Sequence, residues 1–220
     1  MVRRGHAAGL CRKPCAGAFV LRLNTTACRS TPTFGPMRVL AISGSLREAS
    51  INSALCRTAA RLAPSAVHVT VFSGLGNLPL FNPDLEPSPP AAVQEFRAAV
   101  GQANALLIAS PEYAHGISGS MKNALDWLVS FEGTVGRPVA LLNTSPRAHH
   151  AYEALQEVLR TMSTCIVAEA SPVLSLLGAC ATEEAMVSSP QVSLAIRGAL
   201  DALAIHVAGT GGSGPSFPLA

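Results

Sequence analysis

Three segments of this 220-residue chain concentrate side chains able to bind or react. The first is Gly44-Ser45-Leu46-Arg47-Glu48-Ala49-Ser50-Ile51-Asn52-Ser53. It joins serine hydroxyls, an asparagine amide and an arginine fork to main-chain amides at a helix start. Such donors suit a phosphate dianion, and the helix dipole adds to them. The pattern G-x-G-x-x-G is absent, and so is Gly-Lys-Ser/Thr, so the segment is neither a dinucleotide fingerprint nor a P-loop. An ordinary capped helix, with Ser50 or Ser45 as N-cap and Arg47 solvated, is the alternative.

The second segment runs from Ser110 through Pro111-Glu112-Tyr113-Ala114-His115-Gly116-Ile117-Ser118-Gly119-Ser120 to Lys122-Asn123-Ala124-Leu125-Asp126-Trp127. Amides of a short glycine-bearing loop can reach the carbonyls and nitrogens of a planar heterocycle. Tyr113 can lie beside or over the ring, and Gly116 and Gly119 permit close approach. Plainer roles stand beside these. Tyr113 can be packing and His115 solvated, and Glu112 can order the loop by accepting amide hydrogen bonds. Lys122 and Asp126 have the spacing of a helical ion pair, and Trp127 suits a core or an interface.

The third segment is Asn143-Thr144-Ser145-Pro146-Arg147-Ala148-His149-His150. Thr144 and Ser145 can bond a ring edge or its attached chain. His149 and His150 are adjacent, so on a helix they do not face one site, and no further metal ligand accompanies them. No G-x-S-x-G elbow marks a hydrolase. Cys56, Cys165 and Cys180 stand in apolar surroundings that suit fillers rather than nucleophiles. If the protein is an enzyme, its chemistry is therefore expected to belong to a cofactor.

These segments need elements to hold them at one place. Arg38–Ser43, Val67–Phe72, Ala105–Ala109, Val139–Leu142 and Cys165–Ala170 read as strands, apolar and short. Ile51–Leu62, Pro90–Gln102, a stretch from Ser118 or Gly119 to Val129, His149–Met162 and Pro190–Ile205 carry helical spacing between them. Alternation of this kind predicts βαβ units and an α/β fold. The sheet is parallel and doubly wound, with helices on both faces. Ligands of such sheets bind at the carboxyl ends of strands, where all three segments fall.

Composition narrows the classes. Hydrophobic residues are 49% and charged residues 13%, which excludes a disordered polyelectrolyte. No apolar run reaches the ~20 residues of a membrane span. Six cysteines without C-x-x-C or zinc spacing exclude a disulfide scaffold and a zinc module. Residues 1–36 hold six basic groups and no acid, which leaves residues 37–220 with a balance of −3 and no case for nucleic acid. This segment is expected to be a disordered or transit-like extension, or sequence upstream of a start at Met37. Residues 37–207 form the expected domain, and 208–220 a flexible tail.

Ser43-Gly44-Ser45-Leu46-Arg47 with Ser50 and Asn52, followed by Pro111-Glu112-Tyr113 and Lys122-Asn123-Ala124-Leu125-Asp126-Trp127, resemble the NADPH-dependent FMN reductase family, whose members include quinone, chromate and azo-dye reductases. The resemblance covers about residues 37–165 and includes Leu78-Pro79-Leu80-Phe81-Asn82-Pro83-Asp84. It implies a flavodoxin-like five-stranded sheet of order 2-1-3-4-5. By the same resemblance, Ser45, Leu46, Arg47, Ser50, Ile51 and Asn52 would hold the FMN phosphate and its approach. Pro111, Glu112, Tyr113 and Ala114 would line the ring, and Ser145 would add a contact. Hydride would pass from NADPH or NADH to flavin N5 and on to a quinone or similar small acceptor, with no side chain assigned as catalytic. A homodimer or homotetramer is implied, with no membrane partner, and a cytoplasmic location unless residues 1–36 direct the chain to an organelle. The sequence departs from the family pattern at Ala114 (commonly Asn), at Ser118 (commonly Pro) and at the bulky 146–150 stretch (often Gly-rich). A one-electron flavodoxin-type carrier and a flavin-free binding protein are the alternative readings.

Overall fold

The structure is a computed structural model and describes residues 36–176 and 180–210. The expected tail from 211 onward and all but the last residue of the expected extension lie outside the described residues. The order is β1 (Met37–Ser43), α1 (Ile51–Leu62), β2 (Val67–Phe72), α2 (Ala91–Gln102), β3 (Ala105–Ala109), β4 (Glu112–Tyr113), β5 (Gly116–Ile117), α3 (Gly119–Asp126), β6 (Pro138–Leu141), α4 (His149–Thr161), β7 (Cys165–Ile166), α5 (Glu183–Ser188) and α6 (Pro190–Gly209). Five strands form one parallel sheet in the order β2-β1-β3-β6-β7, and β4 and β5 make a separate antiparallel hairpin. This is the 2-1-3-4-5 order expected of the doubly wound fold.

The sheet divides two cores, because successive side chains of a strand point to opposite faces. Val39 and Ala41 of β1 and Leu107 of β3 pack with α1, α5 and α6. Leu40, Ile42, Leu106 and Ile108 pack with α2, α3 and α4. The central strands are therefore apolar on both sides, as a covered parallel sheet requires. α6 is the helix among the described residues whose length and composition would suffice to cross a membrane, a possibility the run-length argument above excluded. Its Ile196, Leu200 and Leu203 are buried against the sheet, whereas Leu194 and Ile205 are exposed.

Long-range polar contacts set the loop after β2. Asn123 of α3 donates to the Pro79 carbonyl at 2.9 Å and accepts from the Phe81 amide at 2.8 Å. The indole of Trp127 is fully buried and donates to the same Pro79 carbonyl at 2.8 Å. Trp127 is thus a core residue, and the Lys122–Trp127 motif fastens a neighbouring loop. Arg97 binds the Glu86 carboxylate at 2.9 Å and the Trp127 carbonyl at 2.7 Å.

Local turns mark where elements end. α3 stops at Asp126 rather than Val129 because the chain tightens there: the Leu128 amide donates to the Leu125 carbonyl at 2.9 Å and the Val129 amide to the Asp126 carbonyl at 3.3 Å, three residues back instead of four. β7 is shorter than Cys165–Ala170. A 3-10 turn at Ala168–Ala170 interrupts the edge, which resumes where Val173 bridges to Asn143. α6 continues to Gly209, beyond the Ile205 expected from its spacing.

Candidate functional site

The loops after β1, β3 and β6 gather at the carboxyl edge of the sheet. The first is shaped by its own hydroxyls. Ser43 Oγ accepts from the Ser45 amide at 3.3 Å, and Ser45 Oγ accepts from the Arg47 amide at 3.3 Å. Ser50 caps α1 by accepting from the Ser53 amide at 3.3 Å. The first amides of α1, at Ile51 and Asn52, have no carbonyl one turn back within the helix. The loop leaves the Arg47 side chain exposed, and among the described residues its guanidinium forms no ion pair.

Gly44 joins this loop to α3. Its carbonyl accepts from Ser118 Oγ at 2.6 Å and from Ser120 Oγ at 2.9 Å. A Cβ at Gly44 would sit 2.9 Å from both Ser110 Cβ and Ser118 Oγ, so no other residue fits without displacement. Ser118 also caps α3, accepting from the Met121 amide at 3.3 Å. Ser118 therefore does here what a proline could not: it links two loops while it starts the helix. The space around Gly119 is open, with no atom within 4 Å of where a Cβ would sit.

Gly44, Leu46, Arg47, Tyr113, Ser118, Gly119 and Ser120 line one open cleft of about 430 Å³. That lies within the range of roughly 300–1,000 Å³ common for small-molecule sites. Leu46 and Tyr113 are 62% and 53% exposed and give the cleft apolar walls. The positive end of the α3 dipole points to it.

The second loop is a two-residue hairpin, β4-Ala114-His115-β5. Ala114 has φ 49° and His115 has φ 59°. Left-handed values at both central positions are the type I′ pattern, for which asparagine and glycine are the usual residues. Glu112 holds the hairpin to α4. One carboxylate oxygen accepts from the Ala151 amide at 2.9 Å, and the other lies 3.3 Å from His115 Nδ1. The Ala151 hydrogen bond, with help from nearby imidazoles, keeps the Glu112 carboxyl below its ordinary range. Its carboxylate thus has an ordering role, while its main chain stays with the hairpin.

The third loop lies beneath the first. Thr144 donates to Asn52 Oδ1 at 3.3 Å, and Asn52 is 2% exposed. Ser145 donates its amide to Asn143 Oδ1 at 3.0 Å and accepts from the Arg147 amide at 3.2 Å.

The structure thus brings Leu46, Arg47 and Tyr113 to one cleft. Ser45, Ser50 and Asn52 shape or support the loop from inside. Ile51 packs against the core, Pro111 is half-buried, Ala114 is exposed and Ser145 is half-buried in its own turn. Gly44, Ser118 and Ser120 are the site residues that motif reading left without a role at the cleft, although each stands inside a quoted motif. No group of three or more possible metal ligands occurs among the described residues. Burial pushes the Cys56 thiol up to about 12, which suits a filler and not a nucleophile.

The geometry agrees with the comparisons. The profile of the NADPH-dependent FMN reductase family matches residues 37–177, and this chain belongs to that family. A probable NADPH:quinone oxidoreductase of Oryza sativa is 46% identical over 95 residues, spanning 41% of this chain and 47% of that protein. A quinone reductase of Pseudomonas putida is 33% identical over 128 residues, spanning 56% of this chain and 68% of that protein. The chain spans about half the length of the first of these relatives. Among solved structures, the flavoenzyme NAD(P)H:(acceptor) oxidoreductase FerB of Paracoccus denitrificans aligns over 77% of this chain and 98% of its own, with TM-score 0.64 and 25% identity.

Proposed function

We propose that this protein is an FMN-dependent NAD(P)H oxidoreductase that passes a hydride from a reduced nicotinamide, through bound flavin, to a quinone or similar small acceptor. The shared cleft carries the reading, because a cation from the loop after β1 and an aromatic from the loop after β3 face one space of about 430 Å³. The residues present fit a flavin mononucleotide. Among the described residues Arg47 forms no ion pair, and the space around Gly119 in the same cleft is open.

In this reading, Arg47 and the first amides of α1 hold the phosphate dianion. Ser45, Ser50 and Asn52 fix the loop that aims them. Leu46 lies along the approach to the cleft, and Ile51 anchors the first turn of α1. Tyr113 lies beside the ring, and the main chain at Pro111, Glu112 and Ala114 lines its edge. Ser145 contributes from the loop after β6. The α3 dipole favours negative charge on the ring side of the cleft. When bound, FMN supplies a ring nitrogen that accepts a hydride from one substrate and delivers it to the next. Leu46 and Tyr113 exclude water from that face.

The relatives named above are described as quinone reductases or NAD(P)H:acceptor oxidoreductases, which supports the small acceptor. A homo-oligomer is part of the proposal and is supported by Leu80, 84% exposed on a loop pinned beside the site. Cytoplasmic residence is also proposed, and the free cysteines Cys56, Cys165 and Cys180 suit a reducing compartment. The test is to add FMN to the purified chain, record the visible spectrum, and then add NADPH without oxygen. Flavin uptake and bleaching are expected. Absence of both rejects the reading.

A further inference from the structure

We propose that Glu112 is a positioning residue which, together with the imidazoles of His115, His150 and His149, forms a proton-sensitive latch on the hairpin that seats the flavin ring. The inference rests on the FMN reading above and adds how the seat is held.

The hairpin is strained by itself, since Ala114 and His115 both occupy the left-handed region. Something outside it must fix it. Ile117 packs against the core, and α4 is a further anchor, to which Glu112 makes the connection through the Ala151 amide at 2.9 Å. The second carboxylate oxygen lies 3.3 Å from His115 Nδ1, so one carboxylate holds the helix and the turn together.

Three imidazoles surround that contact. The His115 and His150 rings meet edge to face, with centroids 4.6 Å apart. The His149 and His150 rings lie 4.0 Å apart. Imidazole is the side chain that ordinarily changes charge between about pH 5 and 8. Rings this close resist a second proton, because like charges would adjoin. His149 and His150 open α4, where the helix dipole also opposes positive charge. His115 lies off that helix and faces the carboxylate at 3.3 Å. Elsewhere on these elements, Tyr113 of the hairpin, Arg147 ahead of α4 and Glu153 of α4 are ionisable. None of these three ion-pairs with His115 among the described residues. Protonation turns a neutral contact into a charge-assisted one, of the stronger kind. The hairpin is thereby held more firmly as pH falls toward 5.5.

The test is the FMN dissociation constant of the full chain, measured by quenching of flavin fluorescence from pH 5.5 to 8. The proteins are wild type, His115→Asn, Glu112→Gln and Glu112→Ala. Asparagine tolerates the left-handed backbone at position 115. Protonation of the FMN phosphate affects every protein alike and cancels in ratios. The ratio of the His115→Asn constant to the wild-type constant is expected near 1 at pH 8 and to rise by up to about fivefold at pH 5.5, the scale of an exposed ion pair. Glu112→Gln keeps an acceptor for Ala151 but loses the charge. It should stay within about twofold of wild type at pH 8 and lose the acid enhancement. Glu112→Ala should weaken binding at every pH. Melting temperatures of the same proteins without flavin give an independent readout. The gap between wild type and His115→Asn should shift in favour of wild type as pH falls. Failure of every protein to bind FMN would refute the functional reading, and the melting series would still decide the latch. Ratios and melting gaps that stay flat with pH would overturn the latch.

Discussion

Replacing Ala114 by asparagine should stabilise this protein, and the size of the effect follows from one dihedral angle. Ala114 has φ 49° and leads a two-residue turn whose second residue, His115, has φ 59°. A residue with a Cβ costs roughly 1–2 kcal/mol in this region, because the Cβ crowds the following carbonyl oxygen. Asparagine recovers part of that through local hydrogen bonding, and its presence at this position in the family pattern has this physical sense. Ala114→Asn is therefore expected to add about 0.5–1 kcal/mol. For a domain of this size that raises the melting temperature by about 1–4 °C. Ala114→Gly relieves the same strain but gives back about 0.5–1 kcal/mol in unfolded-chain entropy, so it should be near neutral. Ala114→Val should lose about 1 kcal/mol or more, since a β-branched side chain is least tolerated there. Trp127 is the only tryptophan and is fully buried, so its emission reports unfolding in each variant. An Ala114→Asn protein that melts no higher than wild type, or a valine variant as stable as alanine, would refute the strain argument.

Arg47→Ala should weaken FMN binding by about 1.5–3 kcal/mol, the scale of a hydrogen bond to a charged group, as read by titration. Gly44→Ala should cost about 1–3 kcal/mol of stability through overpacking against Ser110 and Ser118, seen in denaturant melts, and should lower flavin affinity as well. Glu86 is expected to make stability depend on acid. Burial alone would raise its carboxyl, but hydrogen bonds from Arg97 and Ser130 outweigh this and lower it from the ordinary 4.5. Its contribution is therefore complete above that value and disappears as pH falls through the depressed one. Wild type should exceed Glu86→Gln by about 0.5–1 kcal/mol at neutral pH, the scale of a partly exposed pair, and the gap should close in acid.

Much of the fold is written in local apolar runs. α1, β2 and β3 match their expected bounds residue for residue, because their ends are set by nearby signals such as Ser50 capping α1. The misses involve distant contacts. Arg97, from another helix, ties down the Trp127 carbonyl just past the end of α3, and Ser171, which accepts from the Leu141 amide at 3.0 Å, helps turn the edge after β7. The β4–β5 hairpin carries no Asn-Gly signal, since Ala114 and His115 fill its turn under strain imposed from α4. At the sheet edge, side-chain types point to the loops that line the cleft but not to the atoms that face it. Asn52 looks like a phosphate donor in sequence, yet Thr144, 92 residues away in the loop after β6, holds it inside. Gly44 gave no sign that its carbonyl ties two loops, because that role exists only once Ser118 and Ser120 arrive beside it.

The central claim is that the Arg47 loop and the Tyr113 hairpin grip opposite ends of one mononucleotide. The most direct measurement compares dissociation constants for FMN and riboflavin in wild type, Arg47→Ala and Tyr113→Ala. The account predicts that wild type prefers FMN, that Arg47→Ala erases the preference by weakening FMN alone, and that Tyr113→Ala weakens both ligands. Equal affinity of wild type for the two flavins, or a loss of riboflavin binding in Arg47→Ala as large as the loss of FMN binding, would contradict it.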